Sequence, residues 1–144
     1  METSRLEMND SSKIGIIVDY TDNYSATPVN EAIACVTTGR SLEELQRNMD
    51  EALHFHIEGM LEEGMTIPEE FKQTTWEYDW QLTARAMLHY TEGLVPKAAL
   101  SKETGINQQQ LTHYASGYRI PRPAMRQRIL DGIHAIAARL AAIS

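Results

Sequence analysis

Gln108, Gln109 and His113 are the residues whose types and spacing could most plainly do chemistry. A glutamine near the amino end of a helix can pair bidentately with N6 and N7 of adenine in the major groove of duplex DNA, and His113, one turn beyond Gln109, shares that predicted outer face. Around them lie side chains suited to phosphate or secondary base contacts: Lys97 at the start of a preceding helix, Asn107, Gln110, Thr112 and Ser116 along the glutamine helix, and Arg119 and Arg122 just after it. Contacts to phosphate position a protein on a duplex without reading its sequence.

For such readout the glutamine helix must be held at a fixed angle, and the residues before it supply the means. Pro96 suits the first turn of a helix, Leu100 is an apolar anchor, and Ser101 is small enough for a close helix crossing. Gly105, four residues after Ser101, can take the positive φ of a tight turn, and Ile106 and Leu111 can hold the second helix in place. Asn107 is an N-cap for that helix, which is predicted to run to Ser116 and stop at Gly117. Thr104 stands where such turns usually carry an apolar residue, a place its methyl group partly fills. A further helix is predicted from Pro123 to Ala142, with Ile129, Ile133, Ile136, Leu140 and Ile143 spaced 4-3-4-3. That stripe either completes the core of its own domain or forms a seam with a second copy.

The first half of the chain reads differently. From Lys13 to Tyr20, Ile14, Ile16, Val18 and Tyr20 alternate as in a strand, and Asp22-Asn23 is turn chemistry. Two more strands are predicted at Tyr24 to Val29 and Glu31 to Thr38, with Pro28 placing an interruption or an edge in the first of them. Ser41 and Glu44 form a capping box, and Leu42, Leu45, Met49, Ala52, Leu53, Ile57, Met60 and Leu61 mark the apolar stripe of the helix that follows, which ends by Gly64. Trp76, Tyr78 and Trp80 alternate with Glu77 and Asp79 in a last predicted strand.

Other constellations carry less. His54 and His56, with Glu58 nearby, suggest a metal, but positions two apart on a helix point about 200° from each other, so one ion cannot take both. Cys35 falls in a predicted strand, where a small buried hydrophobe is the common role. Asp19 and Asp79 could be offered to Mg²⁺ for nuclease chemistry, yet no spacing singles them out among the acids.

These features sit on 144 residues, 42% hydrophobic and 23% charged, which excludes disordered and collagen-like chains. No apolar run approaches the roughly 20 residues that span a bilayer, and Met1 to Asp10 lacks a secretory pattern, so a cytoplasmic protein with no membrane contact is expected. The net charge of −7 conceals two opposite halves. Residues 1–82 hold 17 acidic against 5 basic side chains, whereas residues 83–144 hold 3 against 8. A compact basic module suits nucleic acid, and an acidic one suits a cationic partner.

The run SLEELQRNMDEALHFHIEGMLEEGMTIPEE, residues 41–70, resembles the HicB antitoxin pattern of a capped amphipathic helix, a glycine and Ile-Pro before a last strand. The run KAALSKETGINQQQLTHYASG, residues 97–117, resembles phage-repressor and Cro-type DNA-binding domains. With the YRIPRP that follows, it also resembles the C-terminal half of HicB proteins that carry such a domain. Upstream of Ser41, where many members have Pro-Asp-Leu-Pro-Gly, this chain reads AIACVTTGRS.

The fold expected is α+β: a flexible N-terminus at 1–12, a truncated ribonuclease-H-like βββαβ domain at 13–81 and an all-α Cro/repressor-type helix-turn-helix domain at 82–144. The resemblance implies a non-enzymatic antitoxin, with no cofactor or metal, that binds and blocks a small mRNA-cleaving HicA-type toxin. It also implies repression of its own operon by operator binding, as a homodimer or higher homo-oligomer on half-sites about 34 Å apart. Asp19, Asp22, Glu77 and Asp79 are the candidate toxin contacts, because strand ends and edges are exposed in so small a sheet. The alternative is a transcriptional repressor whose N-terminal domain senses a ligand or dimerises, with no toxin partner.

Overall fold

The computed structural model describes residues 13–144, so the expected flexible segment 1–12 lies outside the described residues. The chain is α+β and forms two compact units that divide between Gln81 and Leu82, where the charge balance changes sign. No helix among the described residues is long and apolar enough to cross a membrane.

The N-terminal unit is a four-stranded mixed sheet in the order β3-β2-β1-β4, with one long helix between β3 and β4. Strand β1 (Ile14–Tyr20) buries Ile14, Ile16 and Val18 on one side, as period two requires. It pairs antiparallel with β2 (Tyr24–Pro28), Tyr20 opposite Tyr24 and Ile16 opposite Pro28. Strand β3 (Thr37–Gly39) pairs only with residues Tyr24 to Ala26, so Pro28 has a sheet neighbour on one side and its missing N–H disturbs no second ladder.

The predicted strand from Glu31 is therefore mostly irregular. The Asn30 side chain accepts the N–H of Ala32 at 2.9 Å, and its carbonyl accepts that of Ile33 at 3.1 Å, a local turn that competes with the ladder. Ile33 is nonetheless buried and pins the loop to the core. Cys35 lies in this loop rather than in a strand, and partial burial raises its thiol above its ordinary value, away from the reactive thiolate.

Helix α1 (Leu42–Glu62) begins as its capping box predicts: Ser41 accepts the N–H of Glu44 at 3.1 Å, and the Glu44 carboxylate reaches back to the N–H of Arg40 at 2.9 Å. Leu45, Met49, Leu53 and Ile57 are buried. The helix sits so close to β3 that a methyl on Gly39 would stand 2.5 Å from the Leu45 nitrogen, which is why a side-chainless residue closes that strand. A short 3₁₀ turn (Glu69–Phe71) buries Phe71 before strand β4 (Tyr78–Leu82), which starts later than the predicted alternation.

The C-terminal unit is all helix: α2 (Ala84–Thr91), α3 (Lys97–Thr104), α4 (Gln108–Ser116) and α5 (Pro123–Ala141). Its core joins Met87 and Leu88 of α2, Leu100 of α3, Leu111 and Tyr114 of α4 and Ile129 of α5, with Ile106 from the connection between α3 and α4. Pro96 caps α3 rather than opening it, since its ψ of 145° is extended. The α5 stripe divides: Ile129 is buried, Ile133 and Ile136 pack against the core, and Leu140 and Ile143 are exposed.

One polar contact ties α1 to β4. Tyr78 donates its hydroxyl to the Asp50 carboxylate, and burial together with that carboxylate pushes the phenol well above its usual range. A phenol that holds its proton more tightly when folded stabilises the fold fully below the ordinary tyrosine value near about 10 and loses that contribution as pH rises beyond it. Tyr78→Phe should therefore cost about 1 kcal/mol at neutral pH. The gap between the variant and the parent chain should close above about pH 10 in urea denaturation, and a gap constant to higher pH would remove the role given to this proton.

Candidate nucleic-acid interface

The geometry around the glutamines is set by how α3 ends and α4 begins. Gly105 has φ 76°, a left-handed conformation that turns the chain, and its N–H donates to the Ser101 carbonyl at 2.8 Å. Thr104 is buried: its hydroxyl donates to the Leu100 carbonyl at 2.7 Å and accepts the N–H of Ile106 at 3.2 Å. Its methyl meets α5 at Gly132, where an added Cβ would lie 2.4 Å away. The threonine thus does two jobs at a position where apolar residues are usual. Asn107 accepts the Gln110 N–H at 2.8 Å and caps α4, and Gly117, at φ 82°, ends it.

Gln108 and Gln109 are exposed on the first turn of α4, and their side chains make no hydrogen bond among the described residues. The other predicted site residues divide by what they are already doing. Asn107 is committed to its cap, Gln110 donates its amide to the Tyr114 hydroxyl at 2.8 Å, and Ser116 accepts the N–H of Tyr118 at 3.2 Å as the helix unwinds. Thr112 is exposed and bonds back to the Gln108 carbonyl at 3.0 Å.

His113 is not freely exposed as predicted. Its ring lies 4.9 Å from that of Tyr118, and its Nδ1 is buried with no hydrogen-bond partner among the described residues. The cause is the chain past Gly117, which folds back so that the Arg119 N–H reaches the His113 carbonyl at 3.2 Å and Tyr118 covers the imidazole.

The cations also divide. Arg126 donates twice to the Leu82 carbonyl, at 2.7 and 3.0 Å, and Arg128 donates to the Thr104 carbonyl at 2.9 Å, satisfying the end of α3. Arg139 pairs with Glu103. Lys97, Lys102, Arg119 and Arg122 form no ion pair among the described residues. Arg119 and Arg122 flank a notch of about 290 Å³ beside α4, which Gln110, Tyr114 and Pro121 also line.

The four acidic candidates of the N-terminal unit do not converge. The Glu77 carbonyl accepts the N–H of Ile14 at the start of β1, whereas Asp19 is five residues along that strand, about 16 Å away at the rise of an extended chain. Asp19 accepts the N–H of Tyr20 at 2.8 Å, Asp22 is exposed in the β1–β2 turn, and Asp79 accepts from Gln81 at 2.9 Å. His54 stacks on Trp76 with ring centroids 3.9 Å apart, and His56 lies in a groove on another side of α1.

Helix α2 lies outside the sequence prediction, although Thr83 caps it and Ala84, Met87, Leu88 and Thr91 mark its buried face. It packs on α4 and so helps aim the glutamines. No protein-family model matches the chain, and no curated protein or solved structure is significantly similar to it.

The contact between Thr104 and Gly132 makes the positioning testable. Gly132→Ala should destabilise the chain by about 1–3 kcal/mol through overpacking. Thr104→Ser removes the opposing methyl and keeps the hydroxyl, so adding it should restore at least half of that stability in urea denaturation. Simple additivity of the two changes would exclude the contact.

Proposed function

We propose that the C-terminal unit is a Cro/repressor-type helix-turn-helix that docks α4 in the major groove of duplex DNA. We propose further that the N-terminal unit is the truncated ribonuclease-H-like domain of a HicB-type antitoxin. On this reading the chain neutralises a HicA-type toxin and represses its own operon, binding the operator as a dimer.

The observation that carries the reading is the first turn of α4. Gln108 and Gln109 project from a capped helix start that a left-handed glycine and a buried threonine hold at one angle. Neither glutamine side chain is hydrogen-bonded among the described residues, while cations with no ion pair there stand on both sides, Lys97 before and, after, Arg122 and Arg119, whose guanidinium lies 5.9 Å from the Tyr118 ring centroid. In the docked complex the glutamines read base edges, and the notch between the two arginines receives a backbone phosphate. Gln110, Asn107 and Ser116, already engaged, serve chiefly to shape α4. The half-buried His113 supports the helix end through Tyr118 more than it reaches for a base.

Support for the antitoxin reading comes from the strand-strand-strand-helix-strand order and from the acidic surface. A small toxin that cleaves RNA must present cationic surface to phosphates, and carboxylates facing that surface steer the encounter and fix its register.

Selection from a randomised duplex pool, followed by gel shifts over a salt series, tests the DNA reading. Changing Gln108 and Gln109 to alanine should lower discrimination between selected and mutated sites by about 1–3 kcal/mol for each glutamine that reads a base. Arg119→Ala and Arg122→Ala should instead weaken binding to every duplex and reduce the salt slope by about 1 each. Equal effects of both classes on all sequences would sink the assignment. The antitoxin reading expects a small basic toxin to be encoded beside this chain; co-expression with it should restore growth and yield a stable complex, and the Gln108 and Gln109 variants should retain both.

A further inference from the structure

We propose that the N-terminal unit seats its protein partner in an apolar groove along α1, over Gly59, and that the seated segment is a basic one with an apolar side chain flanked by lysine or arginine. The inference rests on the reading of this unit as a partner-binding domain, and it places the contact on residues other than Asp19, Asp22, Glu77 and Asp79.

The groove has a volume of about 340 Å³ and runs between α1 and the loop before β3, with Ala32, Ala34, Phe55, Gly59, Met60 and Met65 among its walls. Phe55 is 81% exposed and Met65 50% exposed, so the walls present a large aromatic and a flexible thioether to water. Exposed apolar surface of this kind, rimmed by charge, marks interaction sites. Methionine suits such a site because it adapts to whatever is inserted.

Gly59 is the second, independent observation. It lies within α1, where glycine weakens a helix. Close packing explains the glycines at 39 and 132, but a Cβ at position 59 would meet nothing within 4 Å. No contact among the described residues requires a glycine here. What its missing side chain does is leave an open floor between Phe55, one turn before, and Glu63, one turn after.

Charge identifies the occupant. Between Arg47 and Lys72 the chain has seven carboxylates and no lysine or arginine. Glu58, Glu62 and Glu63, on the helix around the groove, are exposed and have no ion pair among the described residues. A second copy of this acidic unit would bring like charges together, whereas a cationic segment would pair with them as its apolar side chain filled the floor. The site combines an apolar anchor pocket with a charged rim, the usual anatomy of a binding hot spot.

The test uses the full chain and a small basic protein of the kind the antitoxin reading expects to be encoded beside it, with affinity measured by calorimetry at two salt concentrations. Gly59→Arg fills the floor and reverses its charge, and Phe55→Ala removes the aromatic wall; each should weaken binding about tenfold or more. Gly59→Ala should raise the melting temperature and change affinity less than about threefold, showing that the helix tolerates side chains there. Urea denaturation of Gly59→Arg and Phe55→Ala, with the N-terminal unit followed by the fluorescence of Trp76 and Trp80, checks that they are folded. If both bind the partner as the parent does while Asp22→Lys or Asp79→Lys abolishes binding, the groove is not the contact and the antitoxin reading stands. If the parent chain does not bind the basic protein at all, the antitoxin reading fails and this proposal with it. A change confined to self-association would make a second copy the occupant and overturn the proposal.

Discussion

The C-terminal unit depends on how four residues, Thr104 to Asn107, end one helix and begin the next. A helix end leaves backbone groups without partners, and burying one unpaired costs about 1–3 kcal/mol. Here the Ser101 carbonyl takes the Gly105 N–H, the Thr104 carbonyl takes Arg128, the Thr104 hydroxyl takes the Ile106 N–H, and Asn107 takes the Gln110 N–H. With so many polar groups satisfied inside four residues, the angle between α3 and α4 has few alternatives. The side chains that follow, Gln108 and Gln109, are relieved of structural work and left to water.

The N-terminal unit is organised by the same economy of close approach. Gly39 lets β3 come within touching distance of the Leu45 backbone, so that the capped end of α1 is fixed to the sheet edge. Further along, Asp50 takes the Tyr78 hydroxyl and ties the middle of the helix to β4. On one face α1 buries Leu45, Met49, Leu53 and Ile57 along most of its length. Past the two attachments its last turns, from Phe55 onward, also carry an open glycine and exposed apolar side chains. The helix is thus a structural element along its buried face and, on the reading proposed above, a recognition surface at its far end.

What can be read from residues alone follows the range of the forces involved. Strand β1, the capping box, the Gly105 turn and the Asn107 cap are local, because alternation, side-chain oxygens at helix starts and positive φ act within a few residues. The third strand is shorter than its composition suggests because an Asn30 turn outcompetes a ladder with only three partners, which is a balance between local and tertiary bonds. Helix α2 escapes periodicity although Thr83 and its apolar positions are present, since eight residues are too few to separate helix from strand. The α5 stripe shows a related limit. The same spacing serves a domain core and a seam between copies, and only the size of the unit decides that Ile129 is buried while Ile143 is not. The groove over Gly59 has no local signal, because it needs the loop from Glu31 to Val36 laid against α1.

Charge is where residue counting and structure diverge most usefully. The net +5 of residues 83–144 suggests an even basic surface, but Arg126 and Arg128 are donors to carbonyls within their own unit and Arg139 is paired with Glu103. A cation bonded to a buried carbonyl still contributes to the far field that draws a duplex in, since screening at physiological salt extends over about 8 Å. It cannot, however, release a counterion from a phosphate it does not touch. The steering charge and the contacting charge are therefore different sets. Those with no ion pair among the described residues, Lys97, Lys102, Arg119 and Arg122, are on the proposed reading the ones that can set the salt dependence of binding, and three of the four bracket the exposed glutamines in sequence. On the DNA reading proposed above, the charge that locates a duplex and the charge that grips it are divided between arginines that also hold the fold and cations with no ion pair among the described residues.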